Sequence, residues 1–439
     1  MARKPKNSFQ TPKGTFDILP KDQRYWEKIR EVVKKASINY GFGRIDTPVF
    51  ENAELYEASV GISTDILEKQ MYVFKTKGKD IVALRPEGTA GVARAYVENG
   101  MANMPQPVKL YYLGPMFRYE QPQAGRFRQF HQVGFEVLGD MDPVYDAQII
   151  NLFVRVCNDL GLKNLNVEIN SIGCKTCRAG YRKQLLKYYR ARIKGACTDC
   201  KKRVKINPLR LLDCKEEKCQ PIKVNAPNII DNLCKECHDH FKSVLEFLDE
   251  LEIPYSLNHH LVRGLDYYTK TVFEVFLEDE HLEKHSETTH KRSRLAIGGG
   301  GRFDDLIKVV GGKDTPAVGA ALGMERVIDI MKFQNVKVPG IAKSQVFLVQ
   351  IGDLGRKKSL KLFDDLLKAG IHTSEAFGRT SISSQLRIAD KAEAKMSLII
   401  GQKEAIDGDI ILRDMETGSQ EVIPIENIIK VVKDRLKKN

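Results

Sequence analysis

The sequence contains no apolar run as long as a membrane-spanning helix needs, about 20 residues. We also expect no secretory leader, because the basic N-terminal segment MARKPKNSFQTPKG is not followed by an apolar stretch. These two absences argue against an integral membrane protein and against an exported one. We therefore expect a protein that acts in the cytoplasm and has no membrane partner.

A phosphate loop of the Walker type is absent as well. The glycine run in IGGGGRFDDL, Gly298 to Gly301, is not followed by the Gly-Lys-Ser or Gly-Lys-Thr of that loop. Four consecutive glycines nevertheless allow a backbone to approach a ligand closely. By itself the run does not identify the ligand.

Acidic residues are fewer than basic ones. The 439 residues include 70 Lys and Arg but 57 Asp and Glu, which gives a formal charge of +13. An excess of positive charge favours a polyanionic partner such as a nucleic acid, although many basic proteins bind none. A chain of this length is too long for one compact core, so we expect about two or three domains.

The spacing of apolar residues predicts the order of helices and strands. Trp26, Ile29, Val33 and Ala36 recur at helical spacing, which predicts a helix over residues 21–38. Short strand patterns follow, broken by glycine and proline, without regular alternation of strand and helix. This order predicts an α+β fold in which a mostly antiparallel sheet is flanked by helices.

Composition divides the chain into four segments. Residues 1–170 carry the first part of the sheet domain, and strand patterns return in residues 261–337 as its second part. Between them, residues 171–260 carry eight of the nine cysteines, which predicts a Cys-rich basic insertion. After a short linker near Val338, residues 344–439 alternate strands and helices, which predicts a small α/β domain.

Residues 114–139 have the pattern of a hairpin with one apolar and one polar face. Its polar side chains are Arg118, Glu120, Gln132 and Glu136. Gly134 leaves space between the last two, and the connecting loop adds Arg126 and Arg128, which suit phosphate. Two interpretations stay open at this point: the floor of a ligand site, or the solvent side of an ordinary hairpin.

Three further segments carry polar groups at turns or at a helix start. They are LRPEGT with Glu87 and Thr89, LVRGLDYY with Arg263, Tyr267 and Tyr268, and GAALGMERV with Arg326. An arginine beside paired tyrosines suits an anion and an aromatic ligand. Each segment alone also fits an ordinary turn or an ion pair.

The order of these segments and their amino-acid sequences together resemble histidyl-tRNA synthetases, which are class II aminoacyl-tRNA synthetases, over nearly the whole chain. Pro48 in RIDTPVFEN, Arg118 in MFRYE and Arg326 in GMERV are similar to the three class II motifs. RPEGT and RGLDYYTKTVFE are similar to the two histidine-specific signatures, and the second of these separates the family from other class II synthetases. The resemblance implies a class II antiparallel sheet and a C-terminal anticodon-binding domain.

The resemblance also implies substrates and residue roles. It implies ligation of L-histidine to tRNA(His) with ATP and Mg²⁺, through histidyl adenylate, by a homodimer whose interface includes the segment around Pro48. Arg118 and Arg263 are the implied catalytic residues, because both neutralise charge at the reacting phosphate. The implied ATP-binding residues are Arg118, Glu120, Arg126 and Arg326. The implied histidine-binding residues are Glu87, Gly88, Thr89, Gln132, Glu136, Arg263, Tyr267 and Tyr268.

The chain departs from the family pattern at three places. Gln121 stands where an arginine is usual, which removes a positive charge from the phosphate loop. Phe303 stands where a tyrosine is usual, which removes a hydroxyl near the ligand. Residues 279–294 are longer and more polar than the pattern, and we predict an exposed loop there.

Two other functions compete with the enzyme. A synthetase-like regulatory subunit of ATP phosphoribosyltransferase would lack the C-terminal domain and would have lost the histidine signatures, whereas this chain keeps both. A zinc-dependent nucleic-acid-binding protein would explain the charge and the cysteines, but it would leave RPEGT and RGLDYY unexplained.

The insertion has the cysteine spacing of zinc sites. Its pairs are Cys174 and Cys177, Cys197 and Cys200, Cys214 and Cys219, and Cys234 and Cys237. CxxC is the spacing of a zinc knuckle, so these thiols predict two sites of four ligands each, and the alternative is reduced thiols in a flexible insert. His238 and His240 are candidate substitute ligands, and Cys157 is predicted to be a core residue.

The segment Arg178–Lys194 of the insertion is basic throughout and contains no acidic residue. Tyr181, Tyr188 and Tyr189 are interleaved with its arginines and lysines. This composition predicts either a surface that contacts the acceptor arm of tRNA or a solvated helix face.

Overall fold

The computed structural model describes residues 9–61, 64, 66–121, 126–214, 216–278, 295–340 and 343–438. The chain divides into two units, Met1–Val338 and Pro339–Asn439. The loop predicted at residues 279–294 lies outside the described residues. Among the helices of the described part, none is both long and apolar enough to cross a membrane.

The first unit contains an eight-stranded sheet and a small three-stranded one. Its strands are β1 (Gly43–Arg44), β2 (Phe50–Asn52), β3 (Tyr72–Lys75), β4 (Ile81–Leu84), β5 (Val108–Phe117), β6 (Gln129–Leu138), β7 (Leu165–Ser171), β8 (Tyr255–Leu257), β9 (Thr269–Leu277), β10 (Leu295–Arg302) and β11 (Ala317–Gly323). The large sheet has the order β1-β5-β6-β11-β10-β9-β7-β8. The outermost pairs are parallel and the five pairs between them are antiparallel. The predicted antiparallel sheet is therefore confirmed, with a parallel pair at each edge.

Helices flank the large sheet, as predicted. The helices of the first unit are α1 (Pro20–Asn39), α2 (Ala53–Val60), α3 (Thr89–Glu98), α4 (Val144–Asp159), α5 (Lys175–Arg190), α6 (Thr198–Ile206), α7 (Gln220–Val224), α8 (Lys235–Glu250), α9 (Leu306–Val309) and α10 (Met324–Phe333). The apolar faces of α1, α4, α8 and α10 meet one side of the sheet in a first core. The opposite side of the sheet packs against α3 and α9 in a second core.

Helix α1 shows how the sequence sets the packing. It starts at Pro20, which suits a first turn because the missing N–H has no helical partner there. It buries Trp26, Ile29, Val33 and Ala36, the residues whose spacing predicts it. Burial of such a stripe supplies the free energy that a single helix lacks in water.

The Cys-rich segment lies between β7 and β8 in the chain. Helices α5, α6 and α7 enclose a third core that contains buried tyrosine, leucine and cysteine side chains. Helix α8 belongs to the first core instead, through Phe241, Val244 and Leu248. The segment is therefore anchored on the sheet by its last helix, and its exact domain boundaries stay a prediction.

The second unit is a five-stranded sheet with helices. Its elements are β12 (Val346–Gln350), α11 (Gly352–Lys368), β13 (Thr373–Glu375), α12 (Ile382–Lys391), β14 (Met396–Ile400), α13 (Gln402–Asp407), β15 (Asp409–Asp414), β16 (Gln420–Pro424) and α14 (Ile428–Lys438). The strand order is β13-β12-β14-β15-β16. The pairs that involve β12 are parallel and the others are antiparallel. The predicted α/β architecture of the C-terminal segment is confirmed.

Candidate functional site

Strands β5 and β6 are antiparallel partners along their whole length, which confirms the predicted hairpin. The apolar residues of β6 face the first core, so Gln132, Gly134 and Glu136 share the opposite face. The ring of Tyr112 lies against Gly134, because a Cβ added there would come within 2.1 Å of that ring. The space expected above Gly134 is therefore occupied by an aromatic side chain.

Glu136 is the buried acid of this face, with 1% of its surface exposed. The hydroxyl of Thr89 donates to Oε1 of Glu136 at 2.8 Å. Oε2 has no hydrogen-bond partner among the residues that the structure describes. Burial raises the pKa of Glu136 well above its usual value, the Thr89 hydroxyl opposes this, and the charge of Glu87 adds to it. The carboxyl group thus has one oxygen held by Thr89 and the other buried without a hydrogen-bond partner among the described residues.

Glu87 precedes Gly88, the N-cap residue of α3, and its side chain caps the helix. Its Oε2 accepts from the N–H of Thr89 at 2.7 Å, and its Oε1 accepts from the N–H of Ala90 at 2.8 Å. These N–H groups have no partner inside the helix. Burial raises the pKa of Glu87, and the two N–H donors oppose the shift. A carboxylate oxygen can accept two hydrogen bonds, so Glu87 keeps acceptor capacity, at Oε1 above all, for a ligand ammonium group.

Arg263 lies in the irregular segment that precedes β9. Its Nη1 donates to Oε1 of Glu274 at 2.5 Å, and its guanidinium carbon lies 5.6 Å from the centre of the Tyr268 ring. The glycine at 299 allows this position, because an added Cβ would lie 2.9 Å from Nη1. Burial opposes the charge of Arg263, but Glu274 and Tyr268 raise its pKa overall. Arg263 is therefore a partly buried cation, with 17% of its side chain exposed, and its Nε has no partner within the described chain.

The two tyrosines of the RGLDYY segment form an aromatic wall. The ring centres of Tyr267 and Tyr268 are 4.7 Å apart, and Tyr267 lies 5.8 Å from the ring of Phe303. Burial raises the pKa of both tyrosines, so their hydroxyls stay neutral donors. The hydroxyl of Tyr267 donates to Oε2 of Glu87 at 3.4 Å. Phe303 itself is buried in the second core.

Arg118 connects the hairpin to the RPEGT segment. Its Nε donates to the carbonyl oxygen of Pro86 at 2.8 Å, and its guanidinium lies 5.2 Å from the ring centre of Phe130. Burial lowers the pKa of Arg118, and nearby acids, among them Glu120 and Glu87, oppose this. The side chain is thus held in place with nitrogen atoms left for an anion.

Arg126 and Arg326 lie on the same side of the site. Arg126 is exposed and donates from Nη1 to Oε2 of Glu120 at 3.2 Å, and Arg326 donates from Nη1 to the carbonyl of Ala296. Burial lowers the pKa of Arg326, and the charge of Arg126 lowers it further. Two guanidinium groups in mutual repulsion favour a bound anion. Gln121, where the sequence has one charge fewer, is exposed.

Sequence reasoning missed several buried polar contacts that hold these elements. Each carboxylate oxygen of Glu325 lies 2.9 Å from the backbone nitrogen of His131, which donates to it and ties α10 to β6. Arg302 is fully buried and donates from Nε to Oδ2 of Asp146 at 2.7 Å. The available signal was a charged residue inside an otherwise apolar strand or helix pattern. A buried charge needs such a partner.

The eight cysteines of the insertion form two groups of four. One contains Cys174, Cys177, Cys234 and Cys237, and the other contains Cys197, Cys200, Cys214 and Cys219. Within each group all sulfur atoms lie within 4.8 Å of one another. The sulfur atoms of Cys174 and Cys177 are 3.6 Å apart and those of Cys197 and Cys214 are 3.9 Å apart, which matches the edge of a tetrahedral ZnS₄ unit, about 3.8 Å for bonds of about 2.3 Å. A disulfide would need about 2.0 Å, so these are free thiols in metal-ligand geometry.

Backbone N–H groups point at several of these sulfur atoms. Cys177 Sγ accepts from the N–H of Cys234 at 3.1 Å, and Cys197 Sγ accepts from the N–H of Cys200 at 3.3 Å. Such bonds stabilise thiolates, the form that binds metal. Both groups contain cysteine only, because the ring of His240 contacts Asp146 instead at 3.3 Å. The two histidines considered as substitute ligands are therefore not in these groups.

The remaining cysteine and the interleaved tyrosines lie in cores. Cys157 is buried in the first core, as predicted, and burial raises its pKa to about 12. Tyr181 and Tyr189 are buried in the third core, and the hydroxyl of Tyr188 donates to the carbonyl of Ile222 at 3.0 Å. Tyr181 and Tyr189 therefore pack within the protein, and most of the exposed side chains of that segment are basic. The exposed basic ones are Arg182, Lys183, Lys187, Arg190, Arg192 and Lys194.

Comparison with known proteins matches both units. Residues 14–327 match the family model described as histidyl-tRNA synthetase, and residues 345–435 match the one described as anticodon binding domain. All the non-cysteine site residues predicted above, from Glu87 to Arg326, lie within the first match.

Near full-length relatives are also found. The histidine–tRNA ligase of Desulfitobacterium hafniense is 45% identical over 433 residues, which cover 98% of this chain and 99% of that protein. The histidine–tRNA ligase of Dehalococcoides mccartyi is 44% identical over 428 residues, covering 98% and 100% respectively. The crystal structure of apo S. aureus histidyl-tRNA synthetase matches with a TM-score of 0.79 at 32% identity, covering 97% of this chain and all of that one.

Proposed function

The chain belongs to the histidyl-tRNA synthetase family, and we propose that it ligates L-histidine to tRNA(His) at a site centred on Glu136. ATP first activates the histidine carboxylate, which gives histidyl adenylate and diphosphate. The terminal adenosine hydroxyl of tRNA(His) then takes the histidyl group and releases AMP. The class II sheet holds the site, and the C-terminal unit is the anticodon-binding domain of the family.

The observation that carries this assignment is the half-satisfied carboxyl group of Glu136. A buried acceptor without a donor is costly, and an imidazole N–H of bound histidine removes that cost. The neutral hydroxyl of Tyr268 is the partner for the second ring nitrogen, because each imidazole nitrogen needs its own partner. Glu87, Thr89 and Gln132 bind the α-amino group. An amino acid without a ring N–H leaves Glu136 unpaired, which makes the site selective.

The positive groups of the site suit the attack of a carboxylate on the α-phosphate. Arg118 and Arg263 lie where both anions meet, and they neutralise charge that develops in the in-line displacement. Arg126 and Arg326 bind the outer phosphates of ATP. Magnesium bound with ATP would supply positive charge to these phosphates and to the leaving diphosphate. The charges of Glu120 and Glu274 both raise the pKa of Arg326, so these carboxylates lie near it. They would supply oxygen ligands of the kind that Mg²⁺ prefers.

Each cysteine group fits a structural Zn²⁺ ion. Four thiolates at tetrahedral spacing leave no open position, so the proposed metal has a structural role and no part in the reaction. The sulfur atoms are mostly buried, and four thiolates so close together need a cation to offset their repulsion. The proposal is two zinc ions that order the insertion.

We propose a homodimer whose interface includes the segment that follows Pro48. Phe50 is 57% exposed there, and Val73, Phe74 and Ile81 of the same small sheet are exposed as well. An exposed apolar patch of this kind is typical of a protein interface. Sedimentation equilibrium decides this directly, since a monomer at micromolar concentration would contradict it.

The regulatory-subunit alternative is less well supported. It requires loss of the C-terminal domain, whereas residues 345–435 match an anticodon-binding model. It also requires loss of the histidine signatures, whereas this sequence keeps Glu87, Arg263 and Tyr268. Because ribosomes use the charged tRNA, we place the enzyme in the cytoplasm. The residue roles and the four-segment division of the chain remain part of this proposal.

Exchange of labelled diphosphate into ATP tests the first half-reaction. Each of the standard amino acids is supplied alone to the purified enzyme with ATP and Mg²⁺. Exchange with histidine and with no other amino acid supports the assignment. Exchange with a different amino acid, or with none, would refute it.

A further inference from the structure

The amino-acid-binding segment Arg263–Tyr268 is held by side chains that come from the Cys-rich insertion. Arg210 donates from Nη2 to the carbonyl oxygen of Gly264 at 2.8 Å. Arg178 donates from Nη1 to the carbonyl oxygen of Tyr268 at 3.0 Å. The two bonds hold the segment near its beginning and at its end.

The contact between insertion and segment continues around these bonds. Asn207 donates from Nδ2 to Oδ1 of Asp266 at 3.3 Å, and the guanidinium of Arg210 lies 3.8 Å from the same oxygen. Val262, just before the segment, packs against the third core. From residue 261 to residue 268 the chain has neither helix nor strand. Its conformation therefore depends on these side-chain contacts, and on a backbone bond from the N–H of Asp266 to the carbonyl of Val60 at 3.1 Å, rather than on a strand ladder.

The two arginines are themselves placed by the cysteine groups. Arg178 follows Cys177 directly, in the first turn of α5, and its N–H donates to the carbonyl of Cys174 at 3.0 Å. Arg210 lies in the 3₁₀ turn Pro208–Leu211, which leads into Cys214. Arg210 is 8% exposed, so its charge is buried against the segment that it holds. Each arginine thus depends on a different cysteine group.

We infer that Arg178 and Arg210 are positioning residues for the histidine-binding segment. They hold its backbone in the conformation that presents Arg263 and Tyr268 to the substrate. A segment ordered before binding saves the entropy of ordering it afterwards, so histidine binds more tightly. ATP-binding residues lie on the β5–β6 hairpin and on α10, which these arginines do not hold. This inference rests on the proposed function.

The test compares Arg178→Met and Arg210→Met with wild type in diphosphate exchange. Each variant should raise the KM for histidine about tenfold, the effect of losing a charged hydrogen bond, and change the KM for ATP by less than about twofold. Arg210→Lys keeps one donor and should recover part of the loss. Arg155→Met is the matched control, because Arg155 is exposed and pairs with Asp159 on α4. Thermal unfolding of every variant reports whether the fold is kept.

Hydrogen exchange of the backbone amides in residues 261–268 gives a second readout that needs no activity. These amides should exchange about tenfold faster in both Met variants and at the wild-type rate in the control. An unchanged KM for histidine in both Met variants, an equal rise in the KM for ATP, or unchanged amide exchange would overturn the inference. If wild type fails to activate histidine, the proposed function falls, and amide exchange still decides whether the arginines order the segment.

Discussion

The hydroxyl of Thr89 donates to Oε1 of Glu136 at 2.8 Å, which joins the start of α3 to the middle of β6. This bond fixes the orientation of a buried carboxyl group whose Oε2 has no partner in the described part of the molecule. An unpaired buried acceptor costs roughly 1–3 kcal/mol. In the function proposed above, binding of an imidazole N–H would remove this cost, and selectivity for histidine would then rest on the carboxyl group that Thr89 orients.

Glu136→Gln removes the carboxylate while it keeps the size of the side chain and an oxygen for Thr89. We expect kcat/KM for histidine in diphosphate exchange to fall about 10- to 100-fold, because the amide oxygen stays with Thr89 and an NH₂ donor then faces the imidazole N–H in place of an acceptor oxygen. Glu98→Gln is the control, because Glu98 is an exposed glutamate of α3 that pairs with Arg94. Full activity of Glu136→Gln would show that Glu136 does not read the imidazole.

Relative to wild type, Glu136→Gln should gain stability as the pH rises. Burial raises the pKa of Glu136, so the folded state keeps a proton that the unfolded chain releases above about pH 4.3. Wild type therefore loses stability as the pH rises from that value through the raised pKa, and Gln cannot ionise. We expect the Tm of Glu136→Gln relative to wild type to increase between about pH 5 and about pH 8. A constant difference across this range, measured by ligand-free thermal unfolding, would contradict the raised pKa.

Arg263→Ala removes the cation between the aromatic wall and Glu274. Adenylate formation should fall about 10²- to 10³-fold, the usual cost of losing a group that stabilises developing charge. Single-turnover measurement of adenylate isolates this step from tRNA charging. Arg155→Ala should leave the rate unchanged, and thermal unfolding controls for the fold. Near-normal adenylate formation by Arg263→Ala would refute its catalytic role.

Metal analysis of protein prepared without chelator should find about two zinc ions per chain. Cys200→Ser and Cys177→Ser, one from each group, should each lose about one ion, because a serine hydroxyl does not replace a thiolate ligand. Cys157→Ala should keep both, since Cys157 lies in the first core outside the groups. Wild-type protein without metal and with eight titratable thiols in the insertion would end the zinc proposal.

The local pattern of apolar and polar residues was sufficient to predict those helices and strands whose formation depends on residues close together in the chain. The helix at residues 20–39 and the β5–β6 hairpin both follow from the period of their apolar side chains. CxxC spacing was likewise enough to predict two four-cysteine groups. The spacing did not show that Cys174 and Cys177 share a group with Cys234 and Cys237. Which pairs meet depends on the path of the chain between them.

The features that the sequence did not predict are contacts between residues far apart in the chain. An aromatic residue such as Tyr112 on an alternating strand looks like any core residue, so nothing local shows that its ring fills the space above Gly134. The insertion looked like an appendage, yet Arg178 and Arg210 reach the segment that carries Tyr268 and its neighbours. Glu87 was expected at the ligand, and the structure adds that it also caps α3. Each of these features depends on residues far apart in the chain.

The central claim is that this chain charges tRNA with histidine. The most direct measurement offers the purified enzyme a complete tRNA mixture, ATP and Mg²⁺ with each amino acid in turn, and identifies the charged tRNA. The account predicts histidine attached to the terminal adenosine of tRNA(His), with no other amino acid transferred. Transfer of another amino acid, or formation of histidyl adenylate that is never passed to tRNA, would contradict it.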